Sequence, residues 1–259
     1  MDLLLFRLYG AMASWGEIAV GENRHTAHYP SKSALLGLLG AALGLERQDE
    51  ERQRQLQEGY AFAVESFTAG HLLRDYHTAQ VPDAVGKFTY RTRRDEIILG
   101  KERLGTILSS REYRCDALAV VAVRALADAP FSLAEIQEKL LRPVFHLYLG
   151  RKSCPLSAPL APQLLSDQPN FLTAFKAYQH KPMLPTRIVS EGNLAKRDFD
   201  WLGRPKDRHY YWEGSADDFY DTPELLKQRQ TRIRHDQPLS RKRWQFMPRQ
   251  EHYLFQGGK

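Results

Sequence analysis

Residues 115–125, "CDALAVVAVRA", make a nearly continuous apolar run. A strand with no polar face has no side to turn to water, so it belongs in the middle of a sheet covered on both sides. The flanking segments supply partners. "DLLLFRLYG" at the N-terminus is dense in β-capable residues, ends at glycine and reads as a first strand. "SALLGLLGAALGL" has too many small and leucyl residues in a row for a strand, and Pro30 with Ser31 or Ser33 supplies a helix start. "YAFAVESF" alternates around Phe62 and Val64 as a second strand, which "HLLRDYHT" extends after an Ala69-Gly70 turn. "FSLAEIQEKLLRP" carries Leu133, Ile136 and Leu140 at helical spacing, with Ser132 as cap and Pro143 as stop, and "VFHLYLG" then reads as a returning strand.

Between residues 79 and 112 the chain is polar, basic and glycine-punctuated, with only "EIILG" apolar, so it forms a long excursion between strands. Such excursions in compact domains are usually functional or disordered. The order is therefore β-α-β, an excursion, then β-α-β, which is the ferredoxin-like order that RNA-recognition domains also use. The expected fold class is α+β. A ferredoxin-like domain spans residues 1–150, with a β-hairpin thumb at about 79–112. A smaller, mostly β domain spans 151–259, where most of the fourteen prolines and short runs such as "RHYYWEG" and "EHYLFQGG" fall.

The 259 residues carry a net charge of +6, and the excess is clustered. From Lys87 to Arg114 eight basic residues face four acidic ones, and from Lys227 to Arg249 eight face only Asp236. Aromatics such as Tyr90, Tyr113, Trp244, Phe246 and Tyr253 interleave with or flank them. Cations beside flat rings are how single-stranded nucleic acid is held, so a polyanion is the expected partner. Two cysteines, Cys115 and Cys154, cannot make a tetrahedral thiolate site, and no apolar run suits a signal peptide or a membrane span. A cytoplasmic protein with no membrane partner, metal or cofactor is expected.

Several blocks occur together in one order: "LYGAMASWG", "ENRHTAHYPSKSALLGLLGAALGLER", "LLRDYHT", "REYRCDA" and "YLGRKSCPL". Over residues 1 to about 160 they resemble the CasD (Cas-five) family of subunits of type I-E Cascade, the CRISPR surveillance complex, and "QEHYLFQGG" is similar to that family's terminal strand. Residues of about 192–227 lie outside the resemblance as extra sequence. The resemblance implies a RAMP-type ferredoxin-like fold with a thumb. It also implies a noncatalytic antiviral role: gripping the 5′ handle of the CRISPR RNA beside the backbone and large subunits, with target DNA met only through the complex.

Individual features can be weighed against that expectation. The glycines of the first helix lack the consecutive Gly-Lys-Ser/Thr of a Walker motif, so they serve packing rather than nucleotide hydrolysis. The amides at the helix start, with Lys32 and Ser33, make a phosphate site. Arg24 and His25 lie in the preceding loop, where "HTAH" lacks the neighbouring carboxylate of a metal site. In "RDYHT", Arg74, Tyr76 and His77 are the groups that metal-free RNA cleavage would use, but strand alternation sends Tyr76 and His77 to opposite faces, which favours binding. In the excursion, Lys87, Tyr90 and Arg91 are contact candidates, and Arg111 at its return is placed to stack on a base. "HLYLGRKSCPL" holds either a thiol nucleophile or a phosphate cradle. Cys154 lies past a turn closed by Pro155, so no Cys-His pair is implied, and Tyr148, Arg151, Lys152 and Ser153 read as the cradle. A metal-independent endoribonuclease and a generic RNA-recognition protein are the alternatives.

Overall fold

The computed structural model describes residues 1–19, 21–83, 89–98, 100–183, 202, 207–220, 222, 227–240, 243 and 245–258. The apolar run is its centre. It forms the second half of β5 (Leu104–Ala125), which pairs antiparallel with β1 (Leu3–Ala13) on one side and β3 (Tyr60–Thr68) on the other. The sheet continues outward from β3 through β7 (Arg208–Trp212) and β9 (Gln245–Gln256) to β8 (Gln230–Ser240), and from β1 to the short β6 (Gln163–Leu165). The result is a mixed α/β fold built on one large, mainly antiparallel sheet. Strands from both sides of residue 150 hydrogen bond directly, as β1 does with β6 and β3 with β7.

Alternation along the central strands feeds two cores. On one face Leu4, Phe6, Phe62, Val121 and Val123 meet α1 (Lys32–Leu43) and α4 (Leu133–Leu141). On the other, Leu3, Leu5, Val120 and Ala122 meet Phe171 and Phe175 of α5 (Phe171–Ala177), with Trp212 and Phe219. Each fully buried side chain of this size contributes about 1.5–3 kcal/mol relative to exposure. The two covering helices start where local chemistry dictates. Ser31 Oγ accepts from the Ala34 amide, and Ser132 with Glu135 forms a reciprocal capping box.

Two departures from the sequence expectations follow from packing. "VFHLYLG" is not a strand: among residues 144–150 only Tyr148 makes a β-bridge, to Pro155, and the outer edge of β1 is taken by β6 instead. The backbone of Val144 and Phe145 is anchored to the carbonyls of Ala42 and Ala41 at the end of α1, which turns the segment along that helix. A second helix, α2 (Glu50–Glu58), lies where no apolar periodicity marked it, because only Leu56 is buried. Within the polar excursion, residues 79–82 and 104–112 pair as a ladder. β4 (His71–Pro82) pairs with β5 from His71 opposite Cys115 to Pro82 opposite Leu104, and α3 (Arg93–Ile98) lies beyond its end.

Gly70 makes the change from β3 to β4 possible. Its φ is +64°, and a Cβ there would lie 2.0 Å from the Cys115 carbonyl oxygen. No helix among the described residues is long and apolar enough to cross a membrane.

Candidate nucleic-acid interface

A groove of about 1150 Å³ runs along the side of α1 that faces away from the core. Its floor is α1 itself, where Ser33, Ala34, Gly37 and Ala41 keep the surface low. One wall is the 146–151 segment with the loop of Ser14 to Ala19, and the other is edge strand β8 with Phe246 of β9. Gly150 sets the first wall. Its φ is +86° and an added Cβ would meet the Ser14 carbonyl oxygen at 1.8 Å, while the Ser14 amide bonds the Leu149 carbonyl at 3.0 Å. The turn after it is closed by the Leu149 amide on the Cys154 carbonyl at 2.7 Å.

Two cations meet at this end. Arg24 lies on β2 (Asn23–Arg24), which pairs parallel with β5, and its carbonyl accepts from Arg151 Nη2 at 3.5 Å. The Arg151 guanidinium carbon sits 5.0 Å from the centre of the Tyr113 ring, and its Nη1 is buried with no hydrogen-bond partner. An orphaned charged donor is costly unless something else satisfies it. Ser33 Oγ lies 3.0 Å from Ser31 Oγ at the groove floor, and His146 and Tyr148 complete the lining. Glu17 lines the same end and is the acidic exception. Cys154 is fully buried and burial pushes its thiol pKa up, which argues against a thiolate nucleophile at this turn.

The β4–β5 ladder starts beside the groove, because Arg24 on β2 pairs in register with Arg111 on β5. Arg111 is exposed, and its side chain makes no hydrogen bond or ion pair to a described residue. Its neighbour Glu112 is buried and gathers the local chain: Arg74 Nη2 binds it at 2.9 Å, His25 Nδ1 lies 3.3 Å away, and the Thr26 amide donates at 3.4 Å. Burial pushes the Glu112 pKa up, but the Arg74, His25 and Thr26 donors outweigh it and hold it below the ordinary value. Along β4, Tyr76 is 64% exposed, whereas His77 Nδ1 is 3.1 Å from Asp75. Tyr90 donates to the Asp83 carbonyl, and the Arg91 amide donates to Asp95.

The family described as CRISPR-associated protein (Cas_Cas5) matches residues 3–251. The chain belongs to this Cas5 family. It is 37% identical over 168 residues to the CRISPR system Cascade subunit CasD of Escherichia coli strain K12, covering 61% of this chain and 68% of that one. Among solved structures, a chain of a CRISPR RNA-guided surveillance complex has a TM-score of 0.61 at 24% identity, over 99% of this chain and 90% of that one. A second, described as a Cas protein, has a TM-score of 0.55 at 21% identity, over 99% and 95%. The last two show the fold alone.

In this Cas5 chain the residues expected at an RNA site fall into two groups and one misplacement. Arg24, Ser33, Tyr148 and Arg151 line the groove. Lys152 and Ser153 are exposed on the adjoining turn. Arg74, Tyr76, His77 and Arg111 lie on the ladder, Tyr90 and Arg91 lie beyond its Pro82 end, and His25 joins the groove to the ladder through Glu112. Lys32 is the correction. It is only 7% exposed, its Nζ pairs with Glu213 at 2.8 Å, and its amide donates to Asp236, so its cation points into the protein rather than to a phosphate. Lys87 and most of the extra segment at about 192–227 lie outside the described residues.

The sequence reading missed Glu112, because a lone glutamate in "REYR" carries no signal until its partners are in place. It also treated the C-terminal basic run as one unit. Arg234 and Arg249 instead form a buried ion cluster with Asp236 and Glu251, in which Arg249 Nε lies 2.6 Å from Asp236 and its Nη2 2.6 Å from Glu251. No group of three or more metal-capable side chains occurs among the described residues.

Proposed function

We propose that this chain is the subunit of a CRISPR surveillance complex that grips the 5′ handle of the CRISPR RNA without cutting it. In that role it joins the backbone and large subunits, meets target DNA only through the complex, and works in the cytoplasm without a cofactor. One observation carries the reading: Arg24 and Ser33 from one end of the chain and Tyr148 and Arg151 from its middle converge on a single groove. Cations at one end of a groove with an aromatic side chain suit a single strand whose phosphates and bases need different partners. The strand order β6-β1-β5-β3, with α1 and α4 on one face, supports a ferredoxin-like reading of the first part of the chain. On that reading the β4–β5 ladder is the thumb, and the residues after 150 form a smaller β-rich unit that extends the sheet.

The second reading, a metal-independent endoribonuclease, draws on the His77 contact with Asp75, which could orient an imidazole for general-base work. It is weakened by alternation on β4, which turns Tyr76 to the other face. The test is to incubate the purified chain with end-labelled repeat RNA, with and without EDTA, and run native and denaturing gels. The proposal expects a shifted, intact band that is tighter for the 5′ handle than for scrambled RNA. A discrete cut insensitive to EDTA would replace it with the nuclease.

A further inference from the structure

The two walls of the groove are chemically unlike. Arg24 and Arg151 stand at one side, and Arg151 holds an unsatisfied nitrogen. The cation on the β8 wall, Arg234, is turned toward the protein and sits among acids, although its Nη1, like that of Arg151, has no hydrogen-bond partner. The Arg234 guanidinium lies 4.2 Å from the centre of the Tyr29 ring and pairs with Asp236 and Glu251 at 3.6 Å each. Asp236 is occupied too, by Arg249 and the Lys32 amide. What β8 and β9 turn to the groove is Ile233, His235 and Phe246. Ile233 is 68% exposed, the highest value of any large apolar side chain among the described residues, and it stands on an edge strand where no described residue covers it.

We infer that β8 is the base-facing wall of this groove: RNA held here lays its phosphates toward Arg24 and Arg151 and turns its bases onto Ile233, His235 and Phe246. The inference rests on the proposed RNA-binding role and assigns residues to it beyond the two basic loops. A paired duplex keeps its base faces stacked inside, whereas an unpaired strand has flat apolar faces to offer and an anionic backbone on the opposite side. The low floor at Ala34, Gly37 and Ala41 leaves room between the walls for that strand to lie against the helix. An imidazole and a phenyl ring are stacking surfaces, and an isoleucine is a contact for the edge of a base.

The test uses the full chain, alone and assembled with the other Cascade subunits, on RNA of the 5′ repeat end carrying a single 2-aminopurine at each position in turn. Stacking changes 2-aminopurine fluorescence, so the wild-type protein should mark one or a few positions. Ile233→Ser and Phe246→Leu are expected to abolish the change at those positions and weaken binding about tenfold, with the salt dependence retained. Arg24→Gln and Arg151→Gln should flatten the salt dependence. Ile233 is so exposed that its replacement leaves the fold alone, and an unchanged thermal midpoint confirms that. Unchanged fluorescence at every position in the β8 variants overturns the inference while the arginine variants still lose affinity. If the arginine variants also bind normally, the groove itself is not the RNA site. Normal RNA signals with failed assembly would give the wall to a protein partner and likewise overturn the inference.

Discussion

Lys32 Nζ lies 2.8 Å from Glu213 Oε2, both side chains being nearly inaccessible. Glu213 also accepts the Phe62 amide at 2.8 Å, so the pair ties the start of α1 to β3 and to the end of β7. Removing one partner strands a buried charge, which typically costs about 3–5 kcal/mol. Lys32→Ala is therefore expected to lower the thermal midpoint by about 10 °C and to leave the salt dependence of RNA binding unchanged. Calorimetry and a salt titration check the two halves. A flattened salt slope in a stable variant would return Lys32 to the RNA site.

That lysine also marks what the sequence could not say. A cation beside a helix start reads as a phosphate ligand, and only the arrival of residues about 180 positions later shows it to be structural. The central sheet was legible, because β1, β3 and β5 are dense in apolar residues and both covering helices carry their caps in sequence. The apolar pattern of "VFHLYLG" suggested a strand, but the segment lies along α1, with Val144 and Phe145 held to its last turn. The strand in "HLLRDYHT" was legible, but its continuation to Pro82 carried little apolar pattern, since a ribbon standing off the sheet buries little and β4 is exposed along almost its whole length. The sequence offered Arg24, Ser33, Tyr148 and Arg151 as candidates, and they line one groove, whereas the part that β8 takes in lining it was hidden in a run whose charges proved to be partly interior.

Arg111 should act on RNA alone. Its side chain is exposed and unpaired among the described residues, and it is adjacent in register to Arg24. Arg111→Ala is expected to weaken handle binding about tenfold and to move the thermal midpoint little, as surface substitutions usually do. Equal affinity for variant and wild type removes Arg111 from the interface.

Gly150 is expected to tolerate no side chain. The positive φ and the 1.8 Å approach of a Cβ to the Ser14 carbonyl oxygen mean that Gly150→Ala must displace one of the two loops that form the groove wall. The variant should lose about 2 kcal/mol or more and bind RNA less tightly, because Arg151 moves with the turn. Chemical denaturation with a parallel binding assay measures both. A variant of wild-type stability would mean that the turn is not packed as described.

Glu65 predicts a pH dependence. On β3, burial pushes its carboxyl up to about 7, against the pull of Arg208 at 3.5 Å and of the Tyr210 hydroxyl at 3.3 Å. A folded-state pKa raised above the unfolded value of about 4.3 favours the protonated, folded form. The stabilisation is complete below about pH 4.3 and is lost as pH rises through about 7. Glu65→Gln is therefore expected to flatten the stability profile between these limits, by at most about 4 kcal/mol. Unfolding midpoints at pH 5 to 8 read it out, and parallel profiles for variant and wild type would contradict it.

The central claim is that Arg24 and Arg151 hold RNA phosphates in the groove beside α1. The measurement that tests it most directly is the salt dependence of 5′-handle RNA binding by the Arg24→Gln/Arg151→Gln double variant. Each phosphate contact to a single strand contributes about 0.7 to the slope of log affinity against log salt concentration, so the slope should fall by about 1.4 with the thermal midpoint held. An unchanged slope would place the RNA elsewhere on the protein.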